Sequence, residues 1–333
     1  MEKILFTIII PTYNRCAMLD ESLRILIPQI RIYKDDVRLY ISDNASTDGT
    51  KRIVEKYIQE EGNYLSYFRQ PENIGGQNNF RHAVKSVNSK YVCLIGDDDV
   101  LFPNYVETIV NLLKEHPDVG LINYNVMSVK YDLGNSHLRE RNMRDLYPVI
   151  YPTGKELIYN HLSVPSLISS NVFLRKKFVD KLDDITVGTY PGYDWMAALY
   201  YSILNDKCVF YGFPLLLQRC PIVQRWGIDF PWFYLYGMGK LFKELDEKIP
   251  GLYNHWIDHS HIENNNFLTG FLNTVSNNKK IYQERYETIK PYLGTKEYER
   301  KFRLYLVHSQ AYADFISSPL RYLYRTLREV IKY

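Results

Sequence analysis

Leu5-Phe6-Thr7-Ile8-Ile9-Ile10-Pro11-Thr12-Tyr13-Asn14-Arg15 starts as a short apolar, β-branched run and breaks at a proline into a polar turn. The same figure repeats along the next hundred residues. Apolar runs at Val37 to Ser42, Leu65 to Phe68, Tyr91 to Ile95 and Val119 to Tyr124 alternate with amphipathic stretches at roughly 16–31, 50–61, 77–88 and 104–115. Strand-like runs alternating with helical ones predict an α/β fold, a mostly parallel sheet flanked by helices. In open sheets of this kind ligands bind beyond the carboxyl ends of the strands. Four polar loops stand there: Pro11 to Arg15, Asp43 to Gly49, Asn73 to Gly76, and Gly96-Asp97-Asp98-Asp99.

The chain has 333 residues and is 46% hydrophobic, enough for a substantial core. With 41 basic against 38 acidic residues the net charge is +3, so no overall field draws nucleic acid, which is excluded as an expected partner. Cys16, Cys93, Cys208 and Cys220 lie far apart, without zinc or disulfide spacing, and read as reduced thiols. The apolar run after Met1-Glu2-Lys3 is too short for a signal peptide. No run reaches the roughly 18 residues that span a bilayer. A cytoplasmic location is expected. The 30 tyrosines suit both sugar stacking and membrane interfaces, and composition does not choose between them.

Three adjacent carboxylates at a strand end repel one another unless a cation or hydrogen-bond donors compensate them. Oxygen ligands of this kind favour Mg2+ or Mn2+ shared with substrate phosphates. The competing reading is a solvated acidic turn before the helix that follows Pro103.

Taken together, Ile8-Ile9-Ile10-Pro11-Thr12-Tyr13-Asn14-Arg15, Ser42-Asp43-Asn44-Ala45-Ser46-Thr47-Asp48-Gly49-Thr50, Asn73-Ile74-Gly75 and Asp97-Asp98-Asp99 with Pro103 resemble glycosyltransferase family 2. The resemblance covers residues 4–124 well and runs more faintly to about 226. It implies a GT-A fold and an inverting glycosyltransferase that takes one sugar from a nucleotide-diphospho-sugar donor, with Mn2+ or Mg2+ as cofactor. The form of the acidic motif resembles bacterial surface-polysaccharide, capsule and O-antigen enzymes, including the abequosyltransferase-like group, and so implies a glycan or lipid-linked sugar acceptor. Carried over, Pro11, Thr12, Tyr13 and Arg15 line the nucleotide, and Asp43 accepts from the imide of the base. Asn73 and Gly75 form the Asn-x-Gly loop, Asn79 and Arg81 face ribose or phosphates, Asp97 lies nearer the ribose, and Asp98 and Asp99 hold the metal. Many members carry an aspartate where this chain has Gly96, which leaves the division of labour among the three aspartates open.

An inverting displacement needs a base on the face opposite the leaving group. In the family this is a carboxylate some 90 to 100 residues after the metal motif, and Asp194 in Gly192-Tyr193-Asp194-Trp195 occupies that window. Its other reading is an N-cap for the helix from Trp195 to Leu204. Asp183 and Asp184 read as solvent-facing. A capping box at Thr153 and Glu156, a strand from Leu167 to Leu174 and a strand pair over 207–219 complete the middle region. Arg225, in Gln224-Arg225-Trp226, is a partial match to the Gln-x-x-Arg-Trp motif of processive synthases. Without that motif or membrane spans, single addition is the expectation. His259, His261 and Glu263 lack ligand spacing and read as ordinary side chains.

The expected organisation is a glycosyltransferase domain over residues 1–226, with a nucleotide-sugar-binding part (1–124) and an acceptor-binding part (125–226), then a helical extension over 227–333. From Pro319 to Tyr333, Leu320, Leu323, Tyr324, Leu327 and Ile331 share one helical face and Arg321, Arg325, Arg328 and Lys332 another. Such a basic amphipathic helix fits peripheral contact with the inner membrane or docking on the protein itself. A nucleotidyltransferase that makes a sugar nucleotide, and a non-catalytic binding module, are the competing functions. The first lacks its Gly-rich, basic phosphate loop after the first strand. The second leaves the retained Asp43, Asp98 and Asp194 unexplained.

Overall fold

Runs rich in isoleucine and valine need burial on both faces, and the central sheet supplies it. In a computed structural model, which describes residues 4–130, 139–140, 147–162, 167–220, 229, 231–259, 274–294 and 296–307, strands β1 (Phe6–Thr12), β2 (Val37–Asp43), β3 (Leu65–Arg69) and β4 (Tyr91–Leu94) pair in parallel in the order β3-β2-β1-β4. The short β5 (Val100–Leu101) follows the acidic loop. The sheet continues from β4 through β9 (Asn171–Leu174), β6 (Leu121–Lys130) and β10 (Cys208–Cys220) to β5, with β7 (Arg139–Glu140) on β6 and β8 (Val149–Tyr151) on β10. β9 runs antiparallel between β4 and β6, while β10 runs parallel to β6, so the sheet is mixed in this half.

Helices α1 (Cys16–Ile32), α2 (Thr50–Glu61), α3 (Gly76–Ser86) and α4 (Tyr105–Glu115) connect the parallel strands, within about two residues of the stretches expected. The apolar positions of α1 at Leu19, Leu23, Leu26, Ile27 and Ile30 recur at helical spacing and are buried against Ile8, Ile10, Leu39 and Ile41 in one core. Gln29 on the same face is buried because its amide works. It donates to the Phe102 carbonyl and accepts from Val106 N–H, tying α1 to the chain just after the acidic loop.

Two expectations need correction. The strand pair over 207–219 is one strand, β10, whose register against β6 shifts on either side of Pro214, a residue with no N–H to give to the ladder. The segment Leu167 to Leu174 is strand only in its second half, preceded by a 3-10 turn at Ile168–Ser170. The capping box is present: Thr153 Oγ1 accepts from Glu156 N–H at the start of α5 (Gly154–Asn160).

The chain forms two compact units, Met1–Thr186 with Trp195–Gln224, and Val187–Asp194 with Arg225–Tyr333. After α6 (Arg175–Asp183), the segment Val187–Asp194 leaves the first unit, and α7 (Asp194–Ile203) re-enters it. Close approach explains the grouping. A Cβ on Gly237 would lie 2.2 Å from the Pro191 carbonyl, and Lys240 donates to the Thr189 carbonyl. The described residues of the second unit form a π-helical turn at Trp232–Met238, α8 (Gly239–Leu245), α9 (Leu252–His259), α10 (Lys279–Ile289) and α11 (Lys296–Val307). Stacking of Phe242 on Trp256, at 5.3 Å, accounts for part of its aromatic content. Among the described residues no helix is long and apolar enough to cross a membrane. The basic tail over 319–333, the stretch around Arg225, and His261 with Glu263 lie outside the described residues.

Candidate active site

Parallel pairing sets Thr12 opposite Asp43 and Asp43 opposite Arg69, so the last residues of β1, β2 and β3 form one row at the carboxyl edge. The acidic loop after β4 opens on the same edge, and side chains knit the two together. Thr12 Oγ1 donates to Asp97 Oδ2 at 2.8 Å. Arg15 donates to Asp97 Oδ1 and lies 3.0 Å from Asp98 Oδ2.

The loop after β2 folds around its own carboxylates. Asp43 is fully buried, accepting from Ser46 N–H at 2.8 Å and Tyr67 O–H at 2.7 Å, with Arg69 Nε 3.7 Å away. Asp48 accepts from Cys16 N–H at the head of α1 and from the backbone and hydroxyl of Thr50 at the head of α2, so one carboxylate satisfies orphan donors of two helices. Burial pushes the Asp48 carboxyl up, but the Thr50 and Cys16 donors outweigh it and hold the group below its usual range. Asn14 Oδ1 accepts from Thr47 N–H, and Asn14 N–H donates to Ser46 Oγ. Asn14 and Ala45 take positive φ, 52° and 66°, a conformation that costs non-glycine residues energy and clusters at functional loops.

The Asn-x-Gly loop is held the same way. Asn44 donates to Asn73 Oδ1 at 2.8 Å and accepts from Ile74 N–H at 3.0 Å. Gly75 has φ 81°, and nothing lies within 4 Å of an added Cβ, so within the protein the glycine answers a backbone angle rather than crowding. Tyr13, beside Pro11 at the strand end, is 43% exposed.

The three aspartates are unequal. Asp97 is buried between Thr12 and Arg15, and burial raises its carboxyl pKa although Arg15 and Thr12 oppose the shift. Asp98 keeps about a quarter of its side chain exposed. Asp99 is buried and pushed up to about 7, chiefly by desolvation, against hydrogen bonds from Ser169 and the Arg219 backbone. Asp99, expected as a metal ligand, is buried, with its carboxylate accepting from Ser169 and the Arg219 backbone. Gly96 has a steric reason, since a Cβ there would meet Asp98 Oδ1 at 2.9 Å and Asp99 Oδ2 at 3.0 Å. Among the described residues no group of three or more His, Cys, Asp or Glu side chains is arranged to hold a metal. The donor set fits a divalent cation that takes one protein carboxylate, Asp98, and completes its shell from substrate and water.

Two further expectations are corrected. Asn79 is buried between α3 and β2, accepting from Ser42 Oγ and Gln70 and donating to the Ser42 carbonyl, so it faces the sheet and not a ribose. Arg81 donates to the carbonyls of Leu182 and Ile185 at 2.9 Å each, clamping the end of α6. Asp194 is fully buried, with Oδ2 accepting from Gly188 N–H at 2.6 Å and Oδ1 from Tyr190 N–H at 2.8 Å. It closes the turn that precedes it and is the first residue of α7. Asp183 and Asp184 are surface groups paired with Lys85 and Lys181. Cys16, Cys93 and Cys208 are free thiols.

Sequence reasoning missed Tyr67, Arg69 and Ser169. Arg69 ends β3 in the row of Thr12 and Asp43, and strand ends alone could have flagged it. Ser169 has no such signal: its hydroxyl accepts from Gly96 N–H at 3.0 Å across 73 residues.

Residues 7–183, more than half of the chain, match the family described as glycosyl transferase family 2. The chain belongs to that family. As a family 2 glycosyltransferase it is 32% identical over 117 residues to the abequosyltransferase RfbV of Salmonella typhimurium, covering 35% of each chain. It is 26% identical over 110 residues to a Campylobacter jejuni GalNAc(5)-diNAcBac-PP-undecaprenol beta-1,3-glucosyltransferase, covering 33% of this chain and 34% of the other. The match spans about a third of the length of these relatives. Among solved structures, residues 1–349 of Staphylococcus aureus TarS in complex with UDP-GlcNAc superpose with a TM-score of 0.61 at 16% identity, covering 90% of this chain and 91% of that one. A Pyrobaculum calidifontis mannosyltransferase in complex with GDP-Man and Mn2+ gives 0.50 at 15% identity, covering 94% and 87%. The fold is the GT-A fold expected, a mixed α/β sheet flanked by helices with a helical C-terminal region.

Proposed function

We propose that this glycosyltransferase moves a single sugar, with inversion, from a nucleotide-diphospho-sugar to a hydroxyl of a lipid-linked glycan in bacterial surface-polysaccharide synthesis. The observation that carries the donor site is the row Thr12, Asp43 and Arg69 facing Asp97 and Asp98 across one edge, with Tyr13 exposed beside it. Tyr13 offers a flat apolar face to a base. Asp43, a carboxylate with about four acceptor positions, accepts from an imide N–H once the Ser46 and Tyr67 cover over its buried oxygens opens to the base. Asp97, fixed by Thr12 and Arg15, sits on the ribose side, and Asn73 with Gly75 lines the nucleotide through the loop backbone. Asp98 would hold Mn2+ or Mg2+, which neutralises charge on the departing diphosphate. Arg15 and Arg69 add positive charge to the same edge, where a developing anion gains most from fixed partners.

The general base belongs on the acceptor side, and Asp194 serves there only if the Gly188–Tyr190 turn releases its oxygens. The lipid-linked acceptor is supported by the Campylobacter relative, whose name places its substrate on undecaprenol diphosphate. A site on the cytoplasmic face of the inner membrane, in peripheral contact with it, follows from such an acceptor. Screening UDP-, GDP-, CDP- and dTDP-sugars for Mn2+-dependent thermal stabilisation tests the donor site, because a ligand that binds only the folded state raises its stability. Stabilisation by one nucleotide class is expected. No response to any nucleotide sugar would refute the proposal.

A further inference from the structure

We propose that Arg15 is a resident counter-ion of the acidic pair, which competes with the divalent metal for Asp98 until a diphosphate draws it away. This rests on the reading of Asp98 as the metal ligand. A single guanidinium nitrogen, Nη1, touches both Asp97 Oδ1 and Asp98 Oδ2, the latter at 3.0 Å. It bridges two carboxylates as an inorganic cation does. Asp99 repels both neighbours but is held by Ser169 and the Arg219 backbone, and the carboxylates that Arg15 touches are Asp97 and Asp98. The Arg15 and Asp98 side chains are only 23% and 25% exposed and that of Asp97 5%, so the contact lies where Coulomb forces outweigh those of a surface pair.

A guanidinium and a divalent cation repel, so Arg15 at 3.0 Å from Asp98 Oδ2 weakens the hold of the same carboxylate on a metal. The apparent metal affinity is scaled down to the fraction of molecules in which Arg15 has left the carboxylates. A nucleoside diphosphate offers the planar guanidinium an alternative pair of anionic oxygens. Arg15 lies on the loop between β1 and α1, one residue after Asn14 at φ 52°, and its long side chain can exchange one anion for another without moving a strand. The predicted consequence is a protein that binds metal poorly alone and well once the donor is present.

The test is Mn2+ binding to the nucleotide-free protein, read from the electron paramagnetic resonance of free Mn2+, for the parent, Arg15→Gln, Arg15→Lys and Asp98→Asn. Arg15→Gln should tighten binding by about tenfold, the factor expected if Arg15 holds the site in about nine molecules of ten. Arg15→Lys keeps a cation beside the carboxylates on a shorter side chain, and should fall between the two. Asp98→Asn should lose binding. If Asp98→Asn loses binding while both Arg15 variants match or fall below the parent, the competition is refuted and the metal site stands. If Asp98→Asn binds Mn2+ like the parent, the metal reading fails and the competition with it.

Discussion

Asp194→Asn separates a chemical role from an architectural one. In the structure the two carboxylate oxygens take two backbone donors, Gly188 N–H at 2.6 Å and Tyr190 N–H at 2.8 Å, in a fully buried setting. An asparagine keeps one acceptor. Its amide nitrogen then faces the second N–H, donor against donor, and one charge-assisted bond becomes a buried unsatisfied group. A hydrogen bond to a charged group contributes about 1.5–3 kcal/mol, and an orphaned buried donor costs about 1–3 kcal/mol. The substitution should therefore cost about 2–4 kcal/mol, a fall in melting temperature on the order of 5–10 °C for a domain of this size. Urea denaturation followed by circular dichroism, with transfer measured on the same preparation, reads both quantities. An Asp194→Asn protein of parental stability whose transfer falls by roughly 10²–10⁴-fold, the loss typical of a missing general base, would refute the architectural account.

Tyr13→Ala should weaken nucleotide binding by about tenfold, near the lower end of the roughly 1–3 kcal/mol that base–aromatic stacking contributes, and leave Mn2+ affinity unchanged. Calorimetric titration with the nucleotide checks this. Arg81→Met should destabilise the protein by about 1–3 kcal/mol through the two lost carbonyl contacts, with nucleotide affinity intact; a selective loss of nucleotide binding would restore Arg81 to the donor site. The Asp99 carboxyl, raised from 3.8 unfolded to about 7 folded, binds more protons in the native state between those values. Its contribution is full below pH 4 and lost as pH rises to about 7, and Asp97 acts in the same direction. Asp99→Asn should flatten the fall in stability across that window in metal-free thermal melts, and an unchanged slope would contradict the burial argument.

The first half of the fold was legible because its signals are local. β-branched runs, helical spacing on α1 and the polar breaks after each strand are written in neighbouring residues, and they place Thr12, Asp43 and Asp97 on one edge. What escaped was direction. Asn79 and Arg81 are polar residues on a helix that starts at the site, yet one turns back to Ser42 and the other reaches 101 residues along the chain to α6. The same limit applies to Asp97, Asp98 and Asp99. Adjacent in sequence, they differ because Thr12 and Arg15 claim the first and Ser169 and the Arg219 backbone the third, while Asp98 keeps about a quarter of its side chain exposed. The strand pair expected over 207–219 failed on Pro214, whose register shift lets a single strand continue past what reads as a turn.

In the function proposed, Asp98 and the row at the carboxyl edge form a metal-assisted donor site for a nucleotide sugar. Release of nucleoside diphosphate from a panel of nucleotide sugars, with Mn2+ present and then chelated, tests it most directly in the parent and in Asp98→Asn. Release from one nucleotide class is expected, abolished by chelation and reduced at least about a hundredfold in Asp98→Asn, the scale on which removing one electrostatic partner of a developing anion acts. Equal release by Asp98→Asn, with undiminished dependence on Mn2+, would contradict it.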